Sequence, residues 1–490
     1  MNALALWLCG FAAPAAADTL DPDRATVYWG DLHAHSGWSW DGCEDGGEVC
    51  DIVGPLPATS FFAVAEDEAL DFVALTDHAE SDTYLAAPGG GAGVDVWDGQ
   101  RDSVRAAAAA GYGGLALLGY EWTAFGNVSG GGIDTGSHRT VLLGSVEACG
   151  AYRVSGWLMP DGEMVNSGTG ATFVQVSEAV ATVPAELWAA LDAAADVAGC
   201  EPVEWRTFAH HSAYAVPQVT RWDVASQAPS RETVVEMYSE HGSSECVDLD
   251  GFGCAWQVNT AQGYLPQGSV QAALGRGFRL GFVAGTDSHD GRPGSLADGP
   301  GPIAHWSDTD GDGVADSVRR HFAPGGLTGV LLPDDEPLTA ASLFAALDAR
   351  HTLATSGPRP RLVVRAEGRH GETFAPGDVI PASAQPVTLS VEVESDDGYV
   401  LSMVEQVGPD GAVLARGLGP VWATEWATGG EETWTYVRLR FIDDLGEEQR
   451  VWLSPFFAEA SDCGCNLAGT GTSPGALALL GLVAWRRRRR

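Results

Sequence analysis

The chain contains no lysine, so all 27 of its basic residues are arginines. This absence excludes a lysine Schiff base, the lysine of a Walker A phosphate loop and a metal bridge made by a carbamylated lysine. The 66 acidic residues leave a formal net charge of -39. A surface of that charge repels nucleic acids and anionic membranes, so we expect neither as the main partner of the chain.

Long hydrophobic runs are also scarce and lie at the two ends of the chain. Residues 1–17 are apolar and end in three alanines before Asp18, which predicts a signal peptide that is removed on export. Residues 459–490 combine Cys463 and Cys465 with a short apolar segment and a terminal run of arginines. This arrangement resembles the C-terminal sorting tails of myxobacterial surface proteins, and a short transmembrane anchor is the alternative. We therefore predict an exported protein that is attached to the cell surface or outer membrane through its tail, or is extracellular.

Of the nine cysteines, Cys9 falls within the predicted signal peptide. An even number of cysteines in an exported chain favours disulfides, whereas structural zinc sites use a repeated short spacing that is missing here. Neighbours along the sequence suggest four pairs, although spacing alone leaves the connectivity open. These pairs are Cys43 with Cys50, Cys149 with Cys200, Cys246 with Cys254, and Cys463 with Cys465.

Short apolar segments next to histidine, aspartate or glutamate recur along the chain. After the segment 26–29, for example, His33 and His35 lie two positions apart, so an extended chain would point both to the same side. Seven segments of this kind have strand character, at 26–29, 72–76, 115–120, 138–143, 206–209, 234–238 and 280–286. Helical patterns separate several of them, at 60–70, 97–110 and 184–197, and another follows at 342–350. The alternation predicts an α/β fold whose ligands gather at the carboxyl ends of parallel strands.

Beyond residue 360 the pattern changes to alternating apolar and polar residues between turns, at 361–364, 387–393, 400–404 and 434–441. Such alternation is typical of antiparallel strands and predicts a small antiparallel β-sandwich. We therefore expect a catalytic domain at 18–360 and a β-sandwich domain at 361–458.

Six motifs resemble those of the PHP superfamily, which is named after polymerase and histidinol phosphatase domains, and most of all a PHP-like branch of unassigned function. The motifs are YWGDLHAHS at 28–36, TDHAE at 76–80, GYEWT at 119–123, YSEHG at 238–242, DSHDGRPG at 287–294 and ATSG at 354–357. Their order over residues 25–360 makes a chance match improbable. The resemblance implies a distorted seven-stranded (β/α) barrel with up to three metal ions at its C-terminal face.

The resemblance also implies which residues hold these ions. The first set is His33, His35, Glu121 and Asp287; the second is Glu121, His138 and either His210 or His211; the third is Asp41, His78 and His289. Mixed nitrogen and carboxylate donors in this number suit two or three divalent ions such as zinc, manganese or iron. Asp41 stands where several superfamily members have histidine. Because neighbours on a strand face opposite ways, we expect only one of His210 and His211 to reach the metal.

Three residues next to the ligand motifs are candidates for binding a substrate phosphate, namely Arg139, His241 and Arg292. A salt bridge within the rim is an equally good explanation of each of the three. Together with Glu121 and Asp287, these three residues are the predicted catalytic residues.

A separate acidic segment at 308–316 follows the pattern of a calcium-binding loop. Its alternating aspartates are Asp308, Asp310, Asp312 and Asp316. The twelfth position is Arg319 instead of the glutamate of an EF-hand, so the segment is more similar to the calcium loops of extracellular repeat modules. A solvated acidic turn is the alternative.

These features together predict an exported metal-dependent hydrolase, and a phosphoesterase acting on a small phosphorylated anion above all. A metal-dependent amide or ester hydrolase is one alternative. The other is a metal-binding surface adhesin without catalytic activity.

Overall fold

The computed structural model describes residues 20–42, 58–85, 93–124, 137–157, 163–165, 172–175, 181–213, 220, 222, 230–246, 266–289, 291–294, 304–307, 317–320, 325–394, 398–428 and 430–460. The predicted signal peptide, the predicted calcium loop at 308–316 and the tail beyond residue 460 lie outside these residues. So do Cys43, Cys50, Cys254, Cys463 and Cys465.

Five α-helices lie in the described residues: α1 (Thr59–Asp67), α2 (Val96–Ala110), α3 (Pro184–Ala194), α4 (Val270–Gly275) and α5 (Ala340–Ala349). All but α4 match the helices predicted from the sequence. The stop of α2 is explained by Gly111, whose φ of 86° is a left-handed conformation that glycine adopts without strain. Pro184 opens α3 because its fixed φ suits the first turn.

The strands of the first 360 residues are β1 (Ala25–Asp31), β2 (Phe72–Leu75), β3 (Thr83–Leu85), β4 (Val94–Asp95), β5 (Leu115–Ala124), β6 (Ser137–Leu143), β7 (Glu163–Val165), β8 (Thr172–Val174), β9 (Trp205–Ala209), β10 (Val234–Ser239), β11 (Gly242–Ser243), β12 (Gly281–Ala284), β13 (Ala304–Ser307), β14 (Ser317–Arg320), β15 (Leu327–Pro333) and β16 (Thr352–Thr355). They are followed by β17 (Arg361–Gly368), β18 (Thr373–Phe374), β19 (Val379–Ile380), β20 (Val387–Glu394), β21 (Tyr399–Val407), β22 (Val413–Gly417), β23 (Val421–Trp426), β24 (Thr433–Asp443), β25 (Glu448–Leu453) and β26 (Phe456–Ala458). The fold is therefore mixed α/β, with many strands and few helices.

One sheet of 16 strands contains all seven strands predicted for the barrel. Its main path runs β11-β10-β9-β6-β5-β2-β1-β15-β16-β25-β24-β21-β22, with β12 beside β10 and with β26 and β19 joined through β24. The pairs β1–β2, β2–β5, β9–β10 and β10–β12 are parallel, as predicted. Buried apolar residues fill these strands, which is expected where a sheet is covered on both faces.

Closure of the seven predicted strands into a distorted barrel is not shown, because no pairing joins β1 to β12 among the described strands. The far edge of β1 pairs antiparallel with β15, from Ala25 opposite Pro333 to Gly30 opposite Thr328. Strand β6 also departs from the prediction, since it runs antiparallel to both β5 and β9. The carboxyl ends of β1 and β12 still meet, through an isolated parallel bridge between Ala34 and Ser288.

The large sheet continues without a break across the predicted domain boundary at residue 360. Strand β16 pairs with β25, with Leu353 opposite Leu453. The antiparallel pattern predicted beyond residue 360 is confirmed by the pairings β17–β20, β21–β24 and β24–β25. A four-stranded sheet, β18-β17-β20-β23, shares one apolar core with β21, β24 and β25, where Leu389 and Val391 pack with Leu439. The four-stranded sheet and the C-terminal strands of the large sheet thus form two layers over a common core.

The described residues also include a small sheet, a separate pair of strands and disulfide-bonded cysteines. A four-stranded sheet, β4-β3-β8-β7, follows the carboxyl end of β2, and β13 pairs antiparallel with β14 on either side of 308–316. Cys149 and Cys200 form a disulfide with Cα atoms 5.5 Å apart, which confirms that predicted pair, and Cys246 is also disulfide-bonded. No helix within the described ranges is both long enough and apolar enough to cross a bilayer.

Candidate metal centre

The parallel strands deliver their ligands to one rim, as the sequence pattern predicts. His33 and His35 follow β1, His78 follows β2, Glu121 lies near the end of β5, and the segment after β12 carries Asp287 and His289. His138 reaches the same rim in another way: β6 runs antiparallel, so its first residues lie beside the last residues of β5, with His138 opposite Thr123. We call the resulting cluster the candidate metal centre. Its predicted donors are His33, His35, Asp41, His78, Glu121, His138, His210, His211, Asp287 and His289, and Glu236 and His241 lie within reach of the same groups.

The first group of donors matches the first set implied by the resemblance. His33 Nε2 lies 3.3 Å from Glu121 Oε2 and 3.4 Å from Asp287 Oδ1. His35 Nε2 lies 3.2 Å and 3.4 Å from the same two oxygens. All four side chains are buried, at 0 to 2% exposure. Four donors therefore converge on one point that water hardly reaches.

The second group lies on the other oxygen of Glu121. His138 Nδ1 is 2.5 Å and His210 Nε2 is 3.4 Å from Glu121 Oε1. Since Oε2 faces His33 and His35, the two oxygens of Glu121 serve different groups of histidines. This is the arrangement of a bridging carboxylate.

Both His210 and His211 belong to the centre, so the expectation that only one of them faces it does not hold. Either ring comes within reach of a candidate group, His210 with His138 and His211 with His241 and Asp287. The reason is that β9 ends at Ala209, and His211 has a φ of 29°, outside the range of a strand. The alternation of side chains stops where the strand stops.

The third group contains Asp41, His78 and His289, as implied, and His35 joins it. Asp41 Oδ2 is 2.9 Å from His78 Nε2 and 3.6 Å from His289 Nε2. His35 also belongs to the first group, so the groups are contiguous. The structure thus brings together every residue predicted as a metal ligand.

Burial and mutual charge set the protonation states of the centre. Burial would raise the pKa of Glu121, but the histidines around it, led by His78 and His210, hold it well below its usual range. Burial, together with His210 and His78, lowers the pKa of His138 to about 4 in spite of Glu121. Burial and His210 also lower the pKa of His211 well below its usual value.

The pKa shift is opposite at His33, His78 and His289: burial would lower their pKa values, but carboxylates, led by Asp287 at His33 and by Asp41 at the other two, raise them well above the usual value. Since metals bind neutral imidazoles, a metal ion competes with protons at these three rings.

The donors present fit divalent metal ions. His35 Nε2 is buried and makes no hydrogen bond, although carboxylate oxygens of Glu121 and Asp287 lie 3.2 Å and 3.4 Å away. Such an atom costs free energy unless a ligand occupies the space between the donors. Imidazole and carboxylate together suit zinc, manganese and iron.

The three predicted phosphate binders differ in position. His241 Nε2 lies 3.1 Å from Asp287 Oδ2, and its side chain is 25% exposed, so it borders the open side of the centre. Arg292 is exposed on the segment beyond His289. Arg139 is fully buried, with Nε 2.7 Å from Glu232 Oε2, on the face of β6 opposite to His138. The salt-bridge interpretation therefore holds for Arg139, which does not face the centre.

Sequence reasoning missed three buried carboxylates around the centre. Glu236 Oε2 lies 3.5 Å from His33 Nδ1, Glu240 Oε1 lies 3.0 Å from His289 Nδ1, and Glu80 Oε2 lies 3.5 Å from His78 Nδ1. A signal was present for Glu236, which interrupts the apolar run of β10.

No family model matches this chain, and no curated protein or solved structure matches it either. The chemistry of the centre is therefore inferred from its own residues.

Proposed function

We propose that the chain is an exported metal-dependent hydrolase that cleaves phosphoesters, as its resemblance to the PHP superfamily implies. The observation that carries this proposal is the convergence of His35 Nε2 with oxygens of Glu121 and Asp287 in a buried space. Three acceptor atoms at these distances repel one another unless a cation lies among them.

Charge balance supports at least two divalent ions. Asp41, Glu121, Glu236 and Asp287 are all buried, and among the described residues no arginine forms an ion pair with any of them. The chain has no lysine that could serve instead. Such buried charges are very unfavourable when isolated, and the histidines around them can balance them only when protonated. Once the histidines bind metal in their neutral form, the metal ions must supply this positive charge. Two divalent cations supply it, and a third would favour an anionic substrate.

Ions held there supply Lewis-acid charge that activates water and stabilises a phosphoryl group in transfer. The residues of the chain do the rest of the work. Glu121 bridges two groups of donors, and Asp287 orients His241 towards the open side. Arg292, exposed beyond His289, is suited to a bidentate grip on the phosphate of an incoming substrate. Burial of the remaining donors excludes bulk water from the reacting groups.

The test is an assay of the purified mature chain, with its metal content measured, against phosphomonoesters, phosphodiesters, amides and carboxylic esters. We expect hydrolysis of a phosphoester that stops on chelation and returns when zinc, manganese or iron is added. Glu232→Gln is the matched control for substitutions of carboxylates in the centre, and it should keep the activity. Glu232 is also a buried carboxylate, but it pairs with Arg139 outside the centre. Metal-dependent cleavage of amides or carboxylic esters alone would instead favour the alternative hydrolase. A chain that binds metals but cleaves none of these substrates would favour the adhesin.

Export is supported by the disulfide between Cys149 and Cys200, since disulfides persist in oxidising compartments. Alkylation of the protein in intact cells, without reductant, should leave both cysteines unlabelled. Surface proteolysis should then cleave the chain from outside. Free thiols at Cys149 and Cys200, in a chain protected within the cytosol, would contradict export and attachment through the tail.

A further inference from the structure

Four histidines of the candidate metal centre share a pattern in their hydrogen bonds, namely His33, His35, His78 and His289. In His289, Nδ1 lies 3.0 Å from Glu240 Oε1 and 2.8 Å from the main-chain oxygen of Asp287. An ionised carboxylate and a carbonyl can only accept, so Nδ1 must carry the proton. When the ring binds a metal as a neutral imidazole, the lone pair is therefore on Nε2, which faces Asp41.

The same proton position follows for His78 and His35 from the hydroxyl groups beside them. Thr123 donates its single hydroxyl proton to Glu121 Oε1 at 2.8 Å, so its oxygen accepts from His78 Nδ1 at 3.1 Å. Ser39 donates its proton to Asp41 Oδ1 at 2.6 Å, so its oxygen accepts from His35 Nδ1 at 3.3 Å. In both rings the nitrogen that remains for a metal is Nε2, which is directed into the centre.

At His33, the acceptor beside Nδ1 is the carboxylate of Glu236. Its Oε2 lies 3.5 Å from His33 Nδ1, while its Oε1 accepts the main-chain N–H of His211 at 2.8 Å. The side chain is 1% exposed. Both oxygens of Glu236 are therefore used as acceptors, one towards the first group of donors and one towards the turn that follows β9.

We propose that Glu236 is a positioning residue, which fixes His33 as an Nε2 metal ligand and holds the turn at His211 so that both rings of the His210–His211 pair face the centre. This inference rests on the metal binding in the proposed function but not on the identity of the substrate. A carboxylate behind a metal-bound histidine sets its tautomer and makes its other nitrogen a better donor.

Replacing Glu236 by glutamine tests the role sharply, because the shape is kept and one acceptor is lost. The amide has a single oxygen, which must serve either His33 or His211. If the oxygen stays with the His211 N–H, the amide NH₂ faces His33 Nδ1 and donates to it. The proton of His33 is then driven to Nε2, where it blocks the metal. We therefore expect Glu236→Gln to bind zinc about 10- to 100-fold more weakly.

The experiment uses the zinc-loaded, full-length chain with isotopically labelled histidine. In the wild type we expect the nitrogen chemical shifts of His33 to show a protonated Nδ1 and a zinc-bound Nε2. In Glu236→Gln we expect this signature to be lost, with weaker zinc binding in competition with a chelator. The control is Glu232→Gln, a buried carboxylate just before the same strand that pairs with Arg139 instead of a histidine. It should leave the signature of His33 and the zinc affinity unchanged, whatever it costs in stability.

The possible results separate this inference from the proposed function. Zinc bound to His33 through Nδ1 in the wild type would overturn the positioning role even if Glu236→Gln failed to fold. Wild-type zinc affinity and an unchanged His33 signature in Glu236→Gln would overturn it as well. A wild-type chain that takes up no zinc, manganese or iron would overturn both proposals. A chain that shows the expected signature but cleaves no phosphoester would overturn the proposed function alone.

Discussion

Two clusters of buried charge in this chain are built on opposite principles. The candidate metal centre surrounds its carboxylates with histidines. The second cluster lies on the C-terminal part of the large sheet, and we call it the arginine–glutamate cluster. Its members are Glu245, Glu405, Arg416, Arg438, Arg440, Glu448 and Arg450. There, Arg438 contacts Glu245 at 2.7 Å and Glu405 at 2.6 Å.

The difference lies in where the balancing charge comes from. In the arginine–glutamate cluster the chain supplies permanent guanidinium charges, so the cluster is complete by itself. In the candidate metal centre the basic groups are histidines, which are neutral in their metal-binding form. These histidines balance the buried carboxylates only when they are protonated, so a metal ion must supply the positive charge when they bind it. The contrast suggests that one cluster serves stability and the other serves binding.

The largest effect should come from removing a ligand of the candidate metal centre. His33→Ala or Glu121→Gln should lower phosphoester hydrolysis by about a thousandfold or more, because the ions that stabilise the transition state are lost. For Glu121→Gln, elemental analysis should show more than one ion equivalent missing, since its two oxygens face different groups. Full activity in His33→Ala, or unchanged metal content in Glu121→Gln, would contradict the claim that the centre, unlike the arginine–glutamate cluster, binds metal ions.

The second effect concerns stability. Glu245→Gln leaves Arg438 and Arg450 without one of their buried partners and should lower the free energy of unfolding by about 3 to 5 kcal/mol. Urea denaturation measures this change. The metal content should remain that of the wild type, because Glu245 belongs to no donor group of the centre. A stability loss below about 1 kcal/mol, or a loss of metal, would show that the two clusters are not separate in function.

Acid should affect the clusters in sequence. Burial would raise the pKa of Glu245, but Arg438 and Arg450 lower it below its usual range, and Arg438 does the same for Glu405. A carboxyl whose pKa is lowered by folding stabilises the fold above its unfolded pKa of about 4.3, and that stability is lost as the pH falls further. Metal should leave earlier, because His33, His78 and His289 compete for protons at a higher pH: burial would lower their pKa values, but the neighbouring carboxylates raise them well above the usual value. Metal content and circular dichroism along one pH titration test this order, which simultaneous loss would contradict.

The smallest effect should come from the rim of the arginine–glutamate cluster. Arg416 contacts Glu405 at 3.0 Å, but its side chain is 61% exposed. Solvent screens such a pair, so Arg416→Gln should change the free energy of unfolding by less than about 1 kcal/mol. Chemical denaturation beside Glu245→Gln gives the comparison. An effect as large as that of Glu245→Gln would mean that the contribution of an ion pair in this cluster to stability does not depend on its exposure to solvent.

Much of the candidate metal centre could be predicted because its ligands follow apolar strands. Residue type and position were enough for His33, His35 and Asp287, which lie just beyond β1 and β12. The prediction of Arg139 as a phosphate binder overlooked the alternation along β6, where His138 faces the rim and its neighbour does not. Glu236 was harder to find, since a single glutamate within an apolar strand carries no spacing that marks it as part of a site.

The sequence pattern does not reveal whether a strand pairs parallel or antiparallel with its neighbours. An apolar run such as β15 has the same pattern whether it pairs parallel or antiparallel, so its place on the edge of β1 could not be predicted. The antiparallel course of β6 was hidden for the same reason. The turn at His211 depends on a positive φ in a residue other than glycine, which tertiary contacts impose and residue type does not reveal.

The pairing of β16 with β25 also decides how this chain can be divided. If the polypeptide were ended at residue 360, the edge of β16 that now bonds to β25 would lose its partner. Leu353, which packs in the core shared with the C-terminal strands, would be uncovered as well. Bare edges and apolar patches of this kind recruit other chains, so the shortened protein would tend to aggregate. The region beyond residue 360 thus covers a strand edge and an apolar surface of the strands before it, so we expect the two parts of the chain to fold as one unit.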